Sequence, residues 1–265
     1  FRTPHSEIRT PQFPMKSLRS LLATAALLAL APSALAADAG FKSLFNGKDL
    51  TGWEGLSFWS VKDGVLVGQT TAEKSTKGNT FLVWKDGAPA NFELRATFRL
   101  TGQNDKKQAN SGIQYRSRLI DPVAFVVGGY QADFDSSGQY AGMLFEEKGR
   151  GLVMKPGEKI KLGATVMVDD AKKPGAKKSK TEIEQLPGAT PVAEILAAYK
   201  LGEWNELVVI AEGNRLRHYL NGKLSAEVID GDATLAPKSG IIALQLHQGP
   251  PMTVEFKSLL LKTLP

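Results

Sequence analysis

The sequence contains no cysteine and only three histidines among its 265 residues. The absence of cysteine excludes disulfides, a lipid-modified cysteine and thiolate metal sites, so the stability of an exported protein must come from its core. A Gly-x-Ser-x-Gly motif is also absent, which argues against a Ser-His-Asp hydrolase. The longest apolar run is shorter than the ~20 residues that a membrane-spanning helix needs.

The N-terminal segment has the composition of a targeting signal. A basic stretch at residues 15–19 precedes an apolar run at 21–30, and Ala34-Leu35-Ala36 matches an A-x-A cleavage site. We expect cleavage after Ala36, location in the bacterial periplasm or outside the cell, and no stable membrane anchor afterwards. The predicted division of the chain is a spurious upstream extension at 1–14, a signal peptide at 15–36 and a single domain at 37–265.

Positive charge is concentrated in one short stretch. The formal net charge of +6 falls to +3 on cleavage, since the removed segment holds four basic residues against Glu7. Residues 172–180 then carry five lysines, interrupted by Pro174 and Gly175. Because no aromatic platform is interleaved with these lysines, the run predicts a solvated loop and no nucleic-acid partner.

Short alternating strands separated by turn residues dominate the chain after residue 40. Residues 92–100 alternate between apolar and polar side chains, the pattern of a half-buried strand. Asp63-Gly64 and Asn221-Gly222 are typical of tight hairpin turns. These features predict an all-β fold, a jelly-roll β-sandwich of two antiparallel sheets.

Two segments interrupt the strand pattern. Residues 191–199 predict one short helix, with Thr190 as its N-cap and Pro191 in its first position. Residues 155–191 are poor in aromatics and rich in Lys, Gly and Pro, so we expect a long loop insertion that contributes to a rim and not to the core.

A polar hairpin is predicted at residues 128–151. Its first strand has Gln131, Asp133 and Asp135 on one face, because alternate strand residues point the same way. The predicted return strand, residues 139–145, leads to Glu147 and Arg150. A solvated surface hairpin is the alternative interpretation, since antiparallel sheets often have one polar face.

Two further strands carry matching polar pairs, Gln114 with Arg116 and Gln245 with His247. If these strands and the hairpin share a concave sheet, their polar faces line one groove. An arginine or histidine on such a face is costly unless it is paired or solvated, which favours a groove over a dry core. The alternative is a set of separate surface patches.

The chain contains, in this order, FKSLFNGKDLTGW at 41–53, NSGIQYR at 110–116, GYQAD at 129–133, EWN at 203–205 with the turns at 213–214 and 221–222, and LQLH at 244–247. As an ordered set, these stretches resemble the 3-keto-disaccharide hydrolase family. The resemblance implies a concanavalin A-like jelly roll, export, and cleavage of glycosides whose glucose ring is oxidised at C3. It also implies a neighbouring oxidoreductase that dehydrogenates the sugar at C3.

A ketone at C3 acidifies the proton on C2, so a base can form an enolate that expels the C1 substituent; water can then add. This route needs a base, a positive group at the enolate oxygen and an acid. His247 is the predicted base, Arg116 or Arg150 the partner of the enolate, and Asp133 and Glu147 the acid. A divalent cation held by the two carboxylates is the alternative to arginine, and no other cofactor is expected. The predicted substrate-binding residues are Gln114, Tyr130, Gln131, Arg150 and Gln245.

Two other functions remain open at the level of sequence. A retaining β-glucanase of similar fold needs two carboxylates ~5 Å apart, usually from an E-x-D-x-E strand. This chain has Gln131 where the first glutamate would be, which removes the nucleophile. A carbohydrate-binding module could stack Trp53, Trp59 or Tyr140 on sugar rings, although filling the core is the commoner role of such aromatics.

Overall fold

The computed structural model describes residues 39–265, and the predictions for residues 1–36 lie outside this range. Two β-sheets make up most of the described chain. The ten-stranded sheet consists of β1 (Lys42–Ser43), β3 (Trp59–Lys62), β4 (Val65–Gln69), β6 (Phe92–Gly102), β11 (Lys159–Asp169), β12 (Lys177–Gln185), β13 (Asn205–Glu212), β14 (Arg215–Leu220), β15 (Lys223–Asp230) and β17 (Met252–Thr263). The seven-stranded sheet consists of β2 (Trp53–Glu54), β5 (Thr80–Trp84), β7 (Asn110–Asp121), β8 (Val126–Asp135), β9 (Met143–Glu147), β10 (Gly151–Met154) and β16 (Ile241–Leu246).

The strand order is β12-β11-β15-β14-β13-β6-β17-β4-β3 in the first sheet, with β1 beside β17, and β10-β9-β8-β7-β16-β5-β2 in the second. Neighbouring strands are antiparallel except for β11 and β15, which are parallel. The predicted turn at Asn221-Gly222 joins β14 to β15, with positive φ at both residues as a type I′ turn requires. The predicted all-β sandwich is confirmed.

The core lies between the two sheets. Every second residue of β6 from Phe92 to Leu100 is buried, which confirms the predicted alternation. Phe98 on β6 meets Phe134 on β8 with ring centroids 3.9 Å apart, which joins the sheets. Within residues 39–265, the helices are all too short or too polar to cross a membrane.

The predicted loop insertion at 155–191 is wrong. Most of it forms the antiparallel hairpin β11–β12. The start of β11 pairs with β15, which brings Ile160 and Leu162 into the core. The prediction from composition failed because the outer part of the hairpin is a two-stranded ribbon exposed to solvent, where lysines are tolerated and aromatics are not needed.

The predicted helix is present as α1 (Val192–Ala198). A short 3-10 helix also occurs at Leu56–Phe58. Thr190 is not its N-cap: Pro191 occupies that position without a side-chain cap, and the Thr190 N–H donates to the carbonyl of Gly157 at 2.9 Å. The residue after the helix, Tyr199, donates its hydroxyl to the backbone carbonyl of Asp135 at 3.0 Å. The helix therefore braces the end of β8.

Candidate active site

Three buried glutamines form a hydrogen-bonded row on the face of the seven-stranded sheet that is turned away from the core between the sheets. Gln114 on β7 donates to the side-chain oxygen of Gln131 on β8 at 2.7 Å, and Gln131 donates to that of Gln245 on β16 at 3.3 Å. Gln245 in turn donates to the Glu147 carboxylate on β9 at 3.4 Å. The hydrogen bonds thus run from β7 to β8, back across β7 to β16, and end on an acceptor on β9.

The sheet is strongly curved at this row. Asn79, just before β5, donates to Glu147 at 3.2 Å although β16, β7 and β8 separate β5 from β9. Gly112 on β7 permits the close approach of the side chains, since a Cβ there would lie 2.6 Å from the Gln131 side chain. The predicted concave polar face therefore exists, and it includes strands that the sequence pattern did not connect.

Asp133 lies on the same face as Gln131 and is almost completely buried. It accepts a hydrogen bond from the uncharged amide of Asn110 at 3.0 Å. Burial raises the pKa of the Asp133 carboxyl well above its usual range, and the charge of nearby Asp135 acts in the same direction. We therefore expect Asp133 to retain a proton well above the pH at which a solvated aspartate loses it.

His247 is the first residue after β16 and is partly exposed. Its Nδ1 hydrogen-bonds the backbone carbonyl of Gln248. Because a carbonyl can only accept, Nδ1 carries the hydrogen and Nε2 of the neutral ring is left to accept a proton. The Gln248 N–H donates to Asn79 at 3.0 Å, which anchors the segment that carries the histidine.

These groups line a cavity of about 290 Å³, here called the inner cavity. Its walls are Asn79, Asn110, Gln131, Asp133, Tyr140, Met143, Phe145, Glu147, Gln245 and His247. An outer cavity of about 330 Å³ adjoins it and shares Asn110, Tyr140 and His247 with it. Together the two cavities form one groove, and five of the predicted site residues lie in it: Gln131, Asp133, Glu147, Gln245 and His247.

Asp135 lies on the predicted face, but its carboxylate is hydrogen-bonded to the turn that follows β8. It accepts hydrogen bonds from the backbone N–H groups of Ser137 at 3.0 Å and Tyr140 at 2.8 Å. Residues 136–142 are turns as a result, and the return strand begins at Met143 instead of the predicted residue 139. This shift brings Tyr140 to the wall of the groove.

Arg116 does not line the groove, contrary to the prediction from strand parity. The register shifts between Tyr115 and Arg118, and Arg116 has a φ of +46°. This bulge turns its guanidinium away to donate to the backbone carbonyls of Ala90 at 2.8 Å and Gly213 at 2.6 Å. Ser117 contacts Gln114 in its place, donating to the Gln114 side-chain oxygen at 2.7 Å.

Tyr130 and Arg150 also lie outside the groove. Tyr130 points into the core between the sheets and donates its hydroxyl to Asp230. Arg150 forms buried ion pairs with Glu146 and Asp230. Gln114 lies beneath the inner cavity and reaches it only through Gln131, so its predicted contact with substrate is indirect at most.

Sequence reasoning missed four residues of the inner cavity, Asn79, Asn110, Met143 and Phe145, and gave Tyr140 only as a stacking aromatic of the binding-module alternative. Phe145 and Met143 could have been found, because alternate residues of a strand share a face with Glu147. Asn110 could also have been found, because it is the first residue of the NSGIQYR stretch. Asn79 could not, because its role depends on the curvature of the sheet. Two of the three proposed stacking aromatics, Trp53 and Trp59, are buried in the core, which leaves Tyr140 as the only one of the three on the groove.

The residues of the groove do not fit a divalent cation. Within residues 39–265, no group of three or more histidine, aspartate or glutamate side chains is arranged to hold a metal ion. The raised pKa of Asp133 also makes it a poor ligand, because a metal prefers the ionised carboxylate. No step below is assigned to a metal.

Residues 40–262 match the family model described as a 3-keto-alpha-glucoside-1,2-lyase-like domain. The chain belongs to this family. The match covers nearly all of the described residues and agrees with the resemblance noted in the sequence. A comparison with curated proteins gave no match. By the description of its family, this is a carbohydrate-related protein.

Solved structures of similar fold include carbohydrate-related proteins. A putative glycosyl hydrolase from Parabacteroides distasonis is 20% identical over 85% of this chain and 94% of its own, with a TM-score of 0.50. A carbohydrate-binding module from Bacillus subtilis is 16% identical over 80% and 96%, with a TM-score of 0.48. A Bacillus subtilis protein of unknown function with a galectin-like fold is 11% identical over 84% and 94%, with a TM-score of 0.49. At such identities the likeness concerns the fold.

Proposed function

We propose that this protein cleaves glycosides whose glucose ring carries a ketone at C3, by removal of the C2 proton and elimination of the C1 substituent. The observation that carries the proposal is the pair formed by Asp133 and His247. One is a carboxyl whose pKa burial raises, and the other is a histidine with a ring nitrogen available as a base. Both line the inner cavity, and the description of the family supports the same class of reaction.

The spacing of the pair suits a sugar ring. Asp133 is on β8 and His247 follows β16, with β7 between them. Two strand spacings separate their backbones by about 10 Å, and both side chains point into the cavity. Asn110 lies between them and donates to Asp133. A ring bound there would have the base on one side and the acid on the other.

His247 Nε2 takes the proton from C2, and the electron pair of the C–H bond moves to form the enolate with its charge on the C3 oxygen. When the C3 carbonyl re-forms, the electrons make a C1–C2 double bond and the C1–O bond breaks. The leaving oxygen takes the proton of Asp133. The products are an unsaturated keto sugar and an alcohol, with His247 protonated and Asp133 ionised. Addition of water to the double bond would make the net reaction a hydrolysis.

We assign the neutral amide of Asn110 to the enolate oxygen in place of the predicted arginine. Arg116 and Arg150 are engaged elsewhere, whereas the amide of Asn110 lines the cavity beside Asp133. Fixed amide N–H groups stabilise a developing oxyanion when they are already oriented before the reaction. Glu147, oriented by Gln245 and Asn79, is an acceptor suited to a sugar hydroxyl.

An ordinary glycosidase mechanism has less support. A retaining enzyme needs an ionised carboxylate as its nucleophile, and Gln131 stands where the E-x-D-x-E pattern would place that carboxylate. Asp135 is the other carboxyl on this strand face, but its oxygens accept hydrogen bonds from the turn.

The chemistry has implications for supply and location. The substrate must first be oxidised at C3, so we propose that a sugar dehydrogenase acting at C3 precedes this protein. We propose the periplasm or the cell exterior as the site of action, after removal of the predicted signal peptide at residues 15–36.

The test uses p-nitrophenyl 3-keto-α-glucoside and its unoxidised parent, following release of nitrophenol and, in D₂O, exchange at C2. We expect release from the oxidised sugar only. H247A should lose both exchange and release. D133N should retain exchange and most of the release of nitrophenol, which is a good leaving group, but should lose release of alcohols that are poor leaving groups, because these depend on an acid.

D63N is the matched control, since Asp63 is an exposed turn residue remote from the groove along the chain. Release from the unoxidised parent, or full C2 exchange by H247A, would overturn the assignment.

A further inference from the structure

The outer cavity is formed mainly by loops. The turn after β8 and the segment that follows β16 provide most of its wall. Its apolar residues are Ala109, Pro250 and Met252, and it lacks the carboxyl of Asp133, the carboxylate of Glu147 and the glutamines that line the inner cavity beside Met143 and Phe145. The inner cavity is closed beneath by buried glutamines. A group released there can therefore leave through the outer cavity.

We propose that the outer cavity is the subsite for the leaving group and that Tyr140 determines which leaving groups are accepted. This inference rests on the proposed function. Asp133, Glu147 and the glutamines belong to the inner cavity, so the keto sugar binds there. The bond to be broken then lies at the residues common to both cavities, Asn110, Tyr140 and His247. The substituent on C1 extends past Tyr140 into the outer cavity.

The backbone of Tyr140 is anchored in this position. Its N–H donates to the Asp135 carboxylate at 2.8 Å, and its carbonyl accepts from the N–H of Met143 at 3.1 Å. Tyr199 binds the backbone of Asp135, so helix α1 supports the same turn. An aromatic ring on this anchored turn, with Pro250 and Met252 in the same cavity, favours a flat, partly apolar leaving group, such as an aryl alcohol.

The experiment compares Y140A, Y140F and the unchanged protein on phenyl and methyl 3-keto-α-glucosides. We expect Y140A to lower kcat/KM for the phenyl glycoside by roughly tenfold or more, the size of effect of removing part of an apolar pocket. The methyl glycoside should lose several-fold less than the phenyl glycoside, since its substituent barely enters the outer cavity. Y140F should resemble the unchanged protein on both substrates.

Equal losses on both substrates would overturn the inference, and so would a Y140F variant as impaired as Y140A. If the unchanged protein releases neither alcohol, the proposed reaction is wrong. The subsite is then tested by calorimetry with phenyl and methyl α-glucosides. Loss of affinity in Y140A for the phenyl compound alone would support the subsite, and unchanged affinity would overturn it.

Discussion

The inner cavity and the interior around Arg150 both bury ionisable groups, but they balance charge differently. Arg150 faces two carboxylates, those of Glu146 and Asp230, and Tyr130 adds a hydrogen bond to Asp230. Asp133 is held instead by the neutral amide of Asn110. Matched buried charges are structural, because removing one partner is strongly destabilising, whereas an acid whose pKa is raised at a cavity is a marker of function. The charges around Arg150 are thus structural, whereas Asp133 is the group that we propose takes part in the reaction.

The two regions also contain histidines in opposite situations. His218 is buried between the Tyr115 hydroxyl, 2.8 Å from Nε2, and the Gly142 carbonyl, 3.0 Å from Nδ1. Burial lowers its pKa to about 4, so it stays neutral in the folded protein. His247 is partly exposed and has one ring nitrogen available. The same residue type is thus a structural link in one region and the proposed base in the other.

D133N should have the largest effect on activity and little effect on stability. We expect kcat on substrates with poor leaving groups to fall by about 10²–10⁴-fold, the usual contribution of a general acid. The free energy of unfolding should stay the same or rise, because an amide avoids the cost of ionising a buried carboxyl. Urea denaturation with kinetics checks both. A strongly destabilised D133N would assign Asp133 to the structural group.

R150M should show the reverse pattern. It leaves Glu146 and Asp230 buried without their cation, and breaking a buried pair in this way costs about 3–5 kcal/mol. The free energy of unfolding should fall by that amount in urea denaturation, with kcat unchanged for the folded protein. The triple variant R150M/E146Q/D230N should recover much of the loss. A lower kcat at full stability would return Arg150 to the active site.

His218 should make the protein sensitive to acid. Its folded pKa of about 4 lies below the ordinary histidine pKa of 6.5, so its stabilising contribution is present above pH 6.5 and is lost as pH falls toward 4. The loss is about 3 kcal/mol across this window, at about 1.36 kcal/mol per pKa unit. Unfolding free energies measured at several pH values should decline less steeply for H218Q.

The raised pKa of Asp133 acts with the opposite sign. Its contribution to stability is fully present below the unfolded pKa and is lost as pH rises through the folded pKa. D133N should therefore steepen the decline toward acid, whereas H218Q should reduce it. Parallel changes in the two variants would contradict these assignments.

G112A should have an intermediate effect on both properties. The added Cβ would lie 2.6 Å from the Gln131 side chain and would displace it from Gln245. Overpacking of this kind costs about 1–3 kcal/mol. We expect activity to fall together with stability, since the floor of the inner cavity moves. G78A is the control, because Gly78, like Gly112, lacks a positive φ, and its Cβ would meet only the Gln248 side chain, at the ordinary contact distance of 3.9 Å.

K178A should have the smallest effect. Lys178 is exposed and lies 3.9 Å from an Asp170 carboxylate oxygen, and exposed pairs contribute about 0–1 kcal/mol. We expect no measurable change in activity and a change in unfolding free energy near the error of urea denaturation. A larger effect would mean that the outer part of β11–β12 does more than stand in solvent.

Local patterns predicted the part of the site that depends on strand geometry. Gln131 and Asp133 alternate with the core residues Ala132 and Phe134, as residues two apart in a strand must. The same rule failed for Arg116, because a bulge between Tyr115 and Arg118 breaks the alternation. Composition failed at residues 155–191 because the stability of a hairpin depends on the strand beside it, here β15.

The sequence by itself determined the all-β sandwich, the faces of β6 and β8, the hairpin turns and the family, because each follows from neighbouring residues or from ordered motifs. Only the tertiary structure decided which polar residues meet. Arg116 donates to the backbone carbonyls of Ala90 and Gly213, and Arg150 forms an ion pair with Asp230. Asn79 reaches Glu147 only because the sheet curves. Partners distant in the chain and sheet curvature are collective properties, which no local pattern encodes.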